Sequence, residues 1–398
     1  MGTFDNVEQA PPDAIFAVLN AFKADTDSRK INLSVGAYRT DEGTPWVLPT
    51  VAKVEGTLKN VNHEYLPIDG NPVYNAGMRD LALGKDSIAI KEERTCAVQM
   101  LSGTGALRIA AEFISKFHQS KTILVSTPTW GNHNAIFKRA NLDILPYRYY
   151  KAETRGLDFE GMIADLEAAP EHSTVLLHAC AHNPTGVDPT NEQWAQIAVV
   201  MKQKGHFPLF DCAYQGFMSG NLADDAFAIR YFVEQGFECL VCQSCSKNFG
   251  LYNERAGCLT AVLSTKEAAA AVLSQLKILV RSSYSNPPNH GAAIVANILS
   301  DASLYKDWED DLNTMSGRIL SMRQQLHDAI VAKGATQDWS HMLKQRGMFT
   351  FTGLTPAQVE RLTSEFHVYL LKNGRINMCG VNSHNIDYLA NAIVEVTK

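Results

Sequence analysis

Five short apolar runs across the middle of the chain set the narrowest limit on what it can fold into. TILVSTP (122–128), TVLLHAC (174–180), FPLFDCAY (207–214), ECLVCQSC (238–245) and GCLTAVL (257–263) are each about one strand long and are only briefly interrupted by polar residues. A strand with one face in water alternates polar and apolar residues, whereas a continuously apolar strand is covered on both faces. Segments around and between these runs keep the helical period instead. Trp194, Ile197, Ala198 and Met201 fall at i, i+3, i+4 and i+7 in NEQWAQIAVVMKQKG, and Leu107, Ala110, Ala111 and Ile114 mark one face of TGALRIAAEFISKF. Apolar strands separated by helices predict an α/β fold with a largely parallel sheet, helices lying on both faces.

The C-terminal part reads differently. MFTFTGL alternates as a half-buried strand, Thr355 is placed to cap the helix PAQVERLTSEF, VYLLKNGRINMCG reads as two short strands, and Ser383 is placed to open the closing helix. This predicts a smaller α+β domain from about residue 315 onward. At 398 residues the chain exceeds what one compact core usually holds. Its 36 Lys and Arg against 42 Asp and Glu give a net charge of −6, which argues against a broad nucleic-acid footprint. No apolar run reaches bilayer length, and MGTFDNVEQAPPDA lacks a basic, then apolar, leader pattern, so a cytoplasmic location is expected.

The eight cysteines include a C-x2-C-x2-C run, Cys239, Cys242 and Cys245. A metal site needs a fourth ligand and a loop that wraps the ion. Here the thiols lie in an apolar run of strand character, so they read as reduced core residues, and no metal is expected.

Open α/β sheets place ligands at the carboxyl ends of their strands. TVLLHAC runs into AHNPTG with Asn183, FPLF into DCAY with Asp211 and Tyr214, and ECLVCQS into CSKNFG with Lys247. Singly, each has an ordinary structural use as a cap, a core ring with a bonded hydroxyl, or a solvated charge. Delivered together toward one crevice, they specify a chemistry. A lysine in a partly buried crevice loses solvation of its charged form, so its pKa falls and it attacks carbonyls. Pyridoxal phosphate is the cofactor that needs such a lysine. Its ring nitrogen calls for a carboxylate such as Asp211, and its phenolic oxygen for donors such as Tyr214 and Asn183. For its phosphate, LSGTGALRIA puts Ser102, Gly103 and Thr104 at a helix start, where free N–H groups and the dipole favour an anion. Arg255 adds a guanidinium fork and Ser244 a hydroxyl. The segment is not the longer dinucleotide pattern, because Leu107 and Arg108 follow where a third glycine would be expected.

Taken together, SCSKNFGLYNERAG, HACAHNPTG, DCAYQGF, RSSYSNPP and GRINMCG resemble the aspartate aminotransferase family, class I pyridoxal-phosphate enzymes of fold type I. The similarity runs from INLSVGAYRTDEGTPWVLP to the C-terminal helix, and the eukaryotic cytoplasmic branch is the nearest in pattern. The resemblance implies a large cofactor-binding domain (46–314), a small domain (13–45 with 315–398) and an N-terminal arm (1–12) that crosses to the partner of a homodimer with shared active sites. It implies Lys247 as the Schiff-base lysine, Asp211 on the ring nitrogen, and Tyr214 and Asn183 on the phenolic oxygen. Ser102, Gly103, Thr104, Ser244, Ser246 and Arg255 complete the cofactor site, and Trp130 stacks on the ring. His133 and His178 stand behind Asp211, while Tyr65 reaches the phosphate bound by the neighbouring subunit. Two departures are local: Cys245 replaces a usual aromatic between two serines, which touches packing, and LKNGR replaces a usual Pro-Ser before its glycine, which touches a loop and not the arginine.

For substrate, the resemblance implies Arg375 on the α-carboxylate and Arg281, from the other subunit, on the distal carboxylate, with Gly36, Trp130 and Asn183 beside them. Two guanidinium forks, each gripping a carboxylate, would fix a dicarboxylate across the cofactor. The expected reaction is transfer of the amino group between L-aspartate and 2-oxoglutarate, giving oxaloacetate and L-glutamate. A broad-specificity aspartate/aromatic aminotransferase, and β-elimination or decarboxylation on the same lysine and aspartate, remain open at this point. So do a cysteine-based redox protein and a nucleotide-binding module.

Overall fold

The computed structural model describes residues 2–11, 13–59 and 62–398; of the expected arm, residues 1 and 12 lie outside that set. A seven-stranded sheet organises the middle of the chain. Its strands are β1 (Thr95–Leu101), β2 (Thr122–Thr127), β3 (Asp143–Arg148), β4 (Thr174–His178), β5 (Phe207–Cys212), β6 (Cys239–Ser244) and β7 (Ala256–Val262). The spatial order is β1-β7-β6-β5-β4-β2-β3. Only β7 runs antiparallel to its neighbours, β1 and β6; the other pairings are parallel. All five apolar runs are therefore strands of one sheet. β1 and β3 escaped sequence reading, because TCAVQML carries Gln99 inside its apolar run and DILPYR is a largely exposed edge strand.

The pleat decides which way the functional side chains point. Along β5, Leu209 and Asp211 alternate with Phe210 and Cys212. Leu209 packs with Leu107, Ala110, Ala111 and Ile114 of the helix Ser102–Phe117. Phe210 and Cys212 pack on the other face with Trp194, Ile197, Ala198 and Met201 of the helix Asn191–Lys204. Asp211 thus emerges on the face covered by the first helix, toward the end where that helix begins.

A third core joins the long helix Ala302–Ala332 to the closing helix Ile386–Thr397 and to segments near both ends of the chain. That long helix runs unbroken through residue 315. Ile31–Asn32 pairs in parallel with Val368–Tyr369, and Phe349–Phe351 pairs antiparallel with Arg375–Asn377. Thr355 caps Pro356–Phe366 in a reciprocal capping box with Gln358. Ser383 does not open the last helix. Its hydroxyl donates to Asp41, while Asn382 Oδ1 accepts from the N–H groups of His384 and Asn385 at 3.1 and 2.9 Å, and the helix starts at Ile386.

All eight cysteines are buried. Cys239, Cys242 and Cys245 belong to three different cores, since three-residue spacing on a strand turns Cys239 and Cys242 to opposite faces. One ion could not touch all three. Among the described residues, no helix is long and apolar enough to cross a membrane.

Candidate active site

The carboxyl ends of the strands surround a cavity of about 180 Å³. β1 leads into Ser102, Gly103 and Thr104; β2 leads to Trp130; β4 leads to Asn183; β5 carries Asp211 and leads to Tyr214; β6 ends at Ser244 and leads to Ser246 and Lys247; Arg255 precedes β7. All of these line the one cavity. They come from segments spread from Ser102 to Arg255, and the sheet order brings them together at the carboxyl edge of the parallel strands.

At the Lys247 end the amine is a poised base. Nζ lies 5.1 Å from the centroid of the Tyr214 ring. Burial pulls its pKa down to about 8; the Asp211 carboxylate opposes the fall, and the Arg255 and Arg375 guanidiniums assist it. Burial pushes the Tyr214 hydroxyl well up, so it stays a hydrogen-bond donor. Burial acts to raise Asp211 too, but the hydrogen bond from His133 and the positive charge nearby outweigh it, and the carboxyl is held below its ordinary value.

Behind Asp211 the hydrogen bonds have only one consistent direction with neutral rings. A carboxylate accepts only, so His133 Nε2 donates to Asp211 Oδ2 at 3.1 Å, leaving His133 Nδ1 to accept from the Thr129 hydroxyl at 2.8 Å. The Thr129 oxygen then accepts from His178 Nε2 at 3.1 Å, and His178 Nδ1 accepts from the backbone N–H of Asn183 at 3.4 Å. Burial, with His133 close by, drops the His178 pKa to about 3, so this ring stays neutral and the direction holds. The relay ties the orientation of Asp211 to the position of Asn183.

The opposite end is an anion cradle. The helix Ser102–Phe117 begins with no side-chain cap; the Arg255 carbonyl takes the Ser102 N–H, and the next N–H groups of the first turn are left to a ligand. Ser102 Oγ is 3.2 Å from both Ser244 Oγ and Ser246 Oγ. A Cβ on Gly103 would sit 3.2 Å from that of Ser244, and one on Gly257 would sit 2.4 Å from the Ser102 carbonyl carbon, so glycine lets β7 and the helix start approach. Arg255 is exposed and gives Nη1 to the Tyr252 carbonyl at 2.8 Å, while still lining the cavity. Hydroxyls, uncapped N–H groups and a guanidinium fit a phosphate. A carboxylate facing a lysine of lowered pKa fits a pyridine aldehyde.

Arg375 stands beside the cavity, 3% exposed. Nη1 donates to Asn183 Oδ1 at 3.2 Å and Nη2 to the Ser34 carbonyl at 2.8 Å; Nε has no partner among the described residues. The Phe349 ring lies 4.0 Å from its guanidinium carbon, and a Cβ on Gly36 would sit 3.0 Å from that same ring. Two expected residues are elsewhere. Tyr65 is 82% exposed and lines a separate cavity of about 530 Å³ with Ser285 and Asn286. Arg281 is exposed and donates to Ser285. Thr129 and Phe349 are constituents that sequence reading missed. Thr129 adjoins the expected Trp130, but nothing local marks its hydroxyl as a link between two histidines; Phe349 reads simply as a strand residue.

The family model for aminotransferase class I and II matches residues 28–393. The chain is 52% identical over 405 residues to the cytoplasmic aspartate aminotransferase of Gallus gallus, covering 99% of this chain and 98% of that one. It is 52% identical over 395 residues to the mitochondrial aspartate aminotransferase of Dictyostelium discoideum, covering 99% and 93%. Among solved structures, the aspartate aminotransferase from Saccharomyces cerevisiae cytoplasm superposes with a TM-score of 0.97 at 45% identity over 99% of this chain and 98% of that one. An aromatic-amino-acid aminotransferase from Burkholderia pseudomallei, covalently bound to pyridoxal phosphate, superposes with a TM-score of 0.98 at 43% identity over all of both chains.

Proposed function

The chain belongs to the aminotransferase class I and II family, and from that premise we propose that its strand-end cavity carries out the reversible transfer of an amino group between L-aspartate and 2-oxoglutarate, giving oxaloacetate and L-glutamate. It is a pyridoxal-phosphate-dependent aminotransferase with aspartate as donor. One observation supports the reading above the rest: Lys247, Asp211, Tyr214, Asn183 and the Ser102–Thr104 cradle line a single cavity, with Arg375 one hydrogen bond from Asn183.

When bound there, pyridoxal phosphate supplies a carbonyl for the amino group and an electron-poor ring that accepts the electron pair left when the α-proton departs. The chain's residues do the rest. Ser102, Gly103, Thr104, Ser244, Ser246 and Arg255 hold the phosphate, and Trp130 covers the ring. Asp211, oriented by His133, Thr129 and His178, keeps a proton on the ring nitrogen. The Tyr214 hydroxyl and the Asn183 amide donate to the phenolic oxygen. Lys247 Nζ, with a pKa near the working pH, takes the α-proton and returns it as general acid. Arg375 grips the α-carboxylate, with Gly36 alongside.

Arg281 and Tyr65 lie outside the cavity of their own chain, and we assign them to a homodimer in which each copy completes the other's site. Arg281 of the partner subunit would meet the distal carboxylate, and Tyr65 of the partner subunit the phosphate. Exposed apolar side chains on the N-terminal segment, Phe4 at 78% and Val7 at 71%, suit an arm (1–12) that crosses to the partner. The division into 46–314 against 13–45 with 315–398 is part of the same proposal, supported by the pairing of Ile31–Asn32 with Val368–Tyr369. A cytoplasmic location is proposed too; the relatives include cytoplasmic, mitochondrial and chloroplastic proteins.

The similarity to aromatic aminotransferases favours one second reading, broad aspartate/aromatic specificity. Steady-state kinetics with L-aspartate and L-phenylalanine separates the two. For Arg281→Ala, kcat/KM for aspartate should fall by ~100-fold or more, the equivalent of about 3 kcal/mol for a carboxylate that loses its fork, with little change for phenylalanine. Equal losses on both substrates would take Arg281 out of the substrate site.

A further inference from the structure

Arg323 lies on the long helix Ala302–Ala332 and is 1% exposed. Among the described residues it has no carboxylate partner, which is unusual for a guanidinium this deep. Taking such a charge out of water is expensive, and an apolar side chain of the same length would ordinarily be the cheaper filler. What it does have is a set of acceptors from one turn of chain. Nη1 donates to the Thr350 hydroxyl and to the Met342 carbonyl at 3.4 Å; Nη2 donates to the carbonyls of Gly347 at 2.7 Å and Phe349 at 3.1 Å.

The turn so gripped touches the substrate side of the cavity from two directions. Phe349 presents its ring to the Arg375 guanidinium at 4.0 Å and closes on Gly36. Gly347, at φ +78°, packs where a Cβ would lie 2.5 Å from the Ala181 Cβ, and Arg346 N donates to the Gly186 carbonyl at 2.7 Å. Ala181 and Gly186 bracket Asn183, which accepts from Arg375. One turn of chain therefore sets both the ring beneath the Arg375 fork and the loop carrying its Asn183 partner. Arg323 grips that turn by three carbonyls and a hydroxyl, beside the pairing of Phe349–Phe351 with Arg375–Asn377 and the Gln345 bonds to Phe351.

We infer that Arg323 is a positioning residue for the α-carboxylate site: it fixes the Met342–Thr350 turn so that Phe349 and Asn183 hold the Arg375 fork in its carboxylate-binding orientation. It touches neither substrate nor cofactor. Its role favours the α-carboxylate side over the phosphate. Among the described residues, no hydrogen bond joins the turn to the Ser102–Thr104 cradle, which dominates cofactor affinity. The ring side meets the turn through Asn183, whose N–H also donates to His178, and through Phe349, whose ring centroid lies 6.3 Å from that of Tyr214. The inference rests on the aminotransferase reading of the site. Turnover of L-aspartate by the unaltered chain tests that reading separately.

The test uses the holoenzyme dimer. Arg323→Lys keeps a buried cation and one donor group but loses the fork; Arg323→Met removes both. Succinate serves as an unreactive dicarboxylate, its dissociation constant read from the shift in cofactor absorbance. Arg323→Lys is expected to weaken succinate and to raise KM for both L-aspartate and 2-oxoglutarate by about tenfold, equivalent to ~1.4 kcal/mol. The Kd for pyridoxal phosphate should stay within about twofold of the unaltered protein. Phe349→Leu removes the ring and leaves the clamp, so it should reproduce the loss, and the double variant should be no worse than the poorer single one. Should Arg323→Met fail to fold, the lysine and leucine variants still decide. Unchanged succinate affinity in Arg323→Lys overturns the inference. So does a parallel loss of cofactor affinity, or losses that multiply in the double variant.

Discussion

The amine at Lys247 offers a direct test of the site's electrostatics. Burial brings its pKa from an ordinary 10.5 to about 8, against the pull of Asp211. At pH 7 an amine titrating at about 8 is ~10% neutral, and one titrating at 10.5 is ~0.03% neutral, so Lys247 carries roughly 300 times more of the nucleophilic form. In cofactor-free protein, limiting acetic anhydride across pH 6 to 11, with the modified peptides quantified by mass spectrometry, reads that fraction residue by residue. The acetylation of Lys247 should have its midpoint near 8, well below that of N-acetyl-lysine in the same tube. Replacing Asp211 by Asn removes the one neighbouring charge that favours the ammonium, so the midpoint should move lower still. A midpoint at or above 10 would refute the burial argument. A rise in Asp211→Asn would reverse the assigned sign of that interaction.

Two further outcomes follow from the same geometry. His178 titrates at about 3 when folded and near 6.5 ordinarily, so the unfolded chain takes up this proton first. Its contribution to stability is intact above pH 6.5 and is lost as pH falls, by ~2 kcal/mol at pH 5; urea unfolding at pH 8 and pH 5 should show a gap smaller by that amount in His178→Gln, and an equal gap would refute it. Ser102 has φ +63°, a region that costs a non-glycine residue about 1 kcal/mol. Ser102→Gly should therefore raise the melting temperature of the cofactor-free protein while weakening the Kd for pyridoxal phosphate several-fold, and effects of the same sign on both measurements would refute the assignment.

Much of the site was legible because its residues sit at strand ends, where chain order and spatial order coincide. Asn183, Asp211, Tyr214 and Lys247 follow three strands that are neighbours both along the chain and in the sheet. The Thr129 hydroxyl was not legible. It joins His133 to His178 across residues 4 and 49 positions away, and no local pattern encodes a partner at that distance. Arg323 was hidden for a related reason: a lone arginine on a long helix reads as a solvated charge until the 342–350 turn folds over it. The Ser383 expectation failed because a capping serine and one bonded to a distant aspartate, here Asp41, look alike in sequence. Cys245 is the converse case. Its setting between two cavity-lining serines draws attention, yet its thiol points into the core, 3.4 Å from the Tyr74 hydroxyl and 3.7 Å from the Met78 sulfur.

The cradle also shows where this chain spends conformational strain and where it gives up a side chain instead. Ser102 and Arg255 both sit at positive φ without being glycine, and the Ser102 N–H donates to the Arg255 carbonyl at 2.9 Å, so the two strained residues brace one another. Glycine at either position would relieve the backbone, but it would remove a hydroxyl bonded to Ser244 and Ser246 or the cavity's own guanidinium. Gly257 and Gly103 are the reverse. Their backbones need no left-handed freedom; what they need is the absence of a Cβ, so that β7 can lie against the Ser102 peptide and the helix start against Ser244. Within the cradle, strain falls on the two residues whose side chains serve the anion site, and side chains are absent where two backbones must meet to form it. A stretch with free choice of residues would put the glycines at the strained positions, and the inversion of that rule here follows from the need to hold a phosphate.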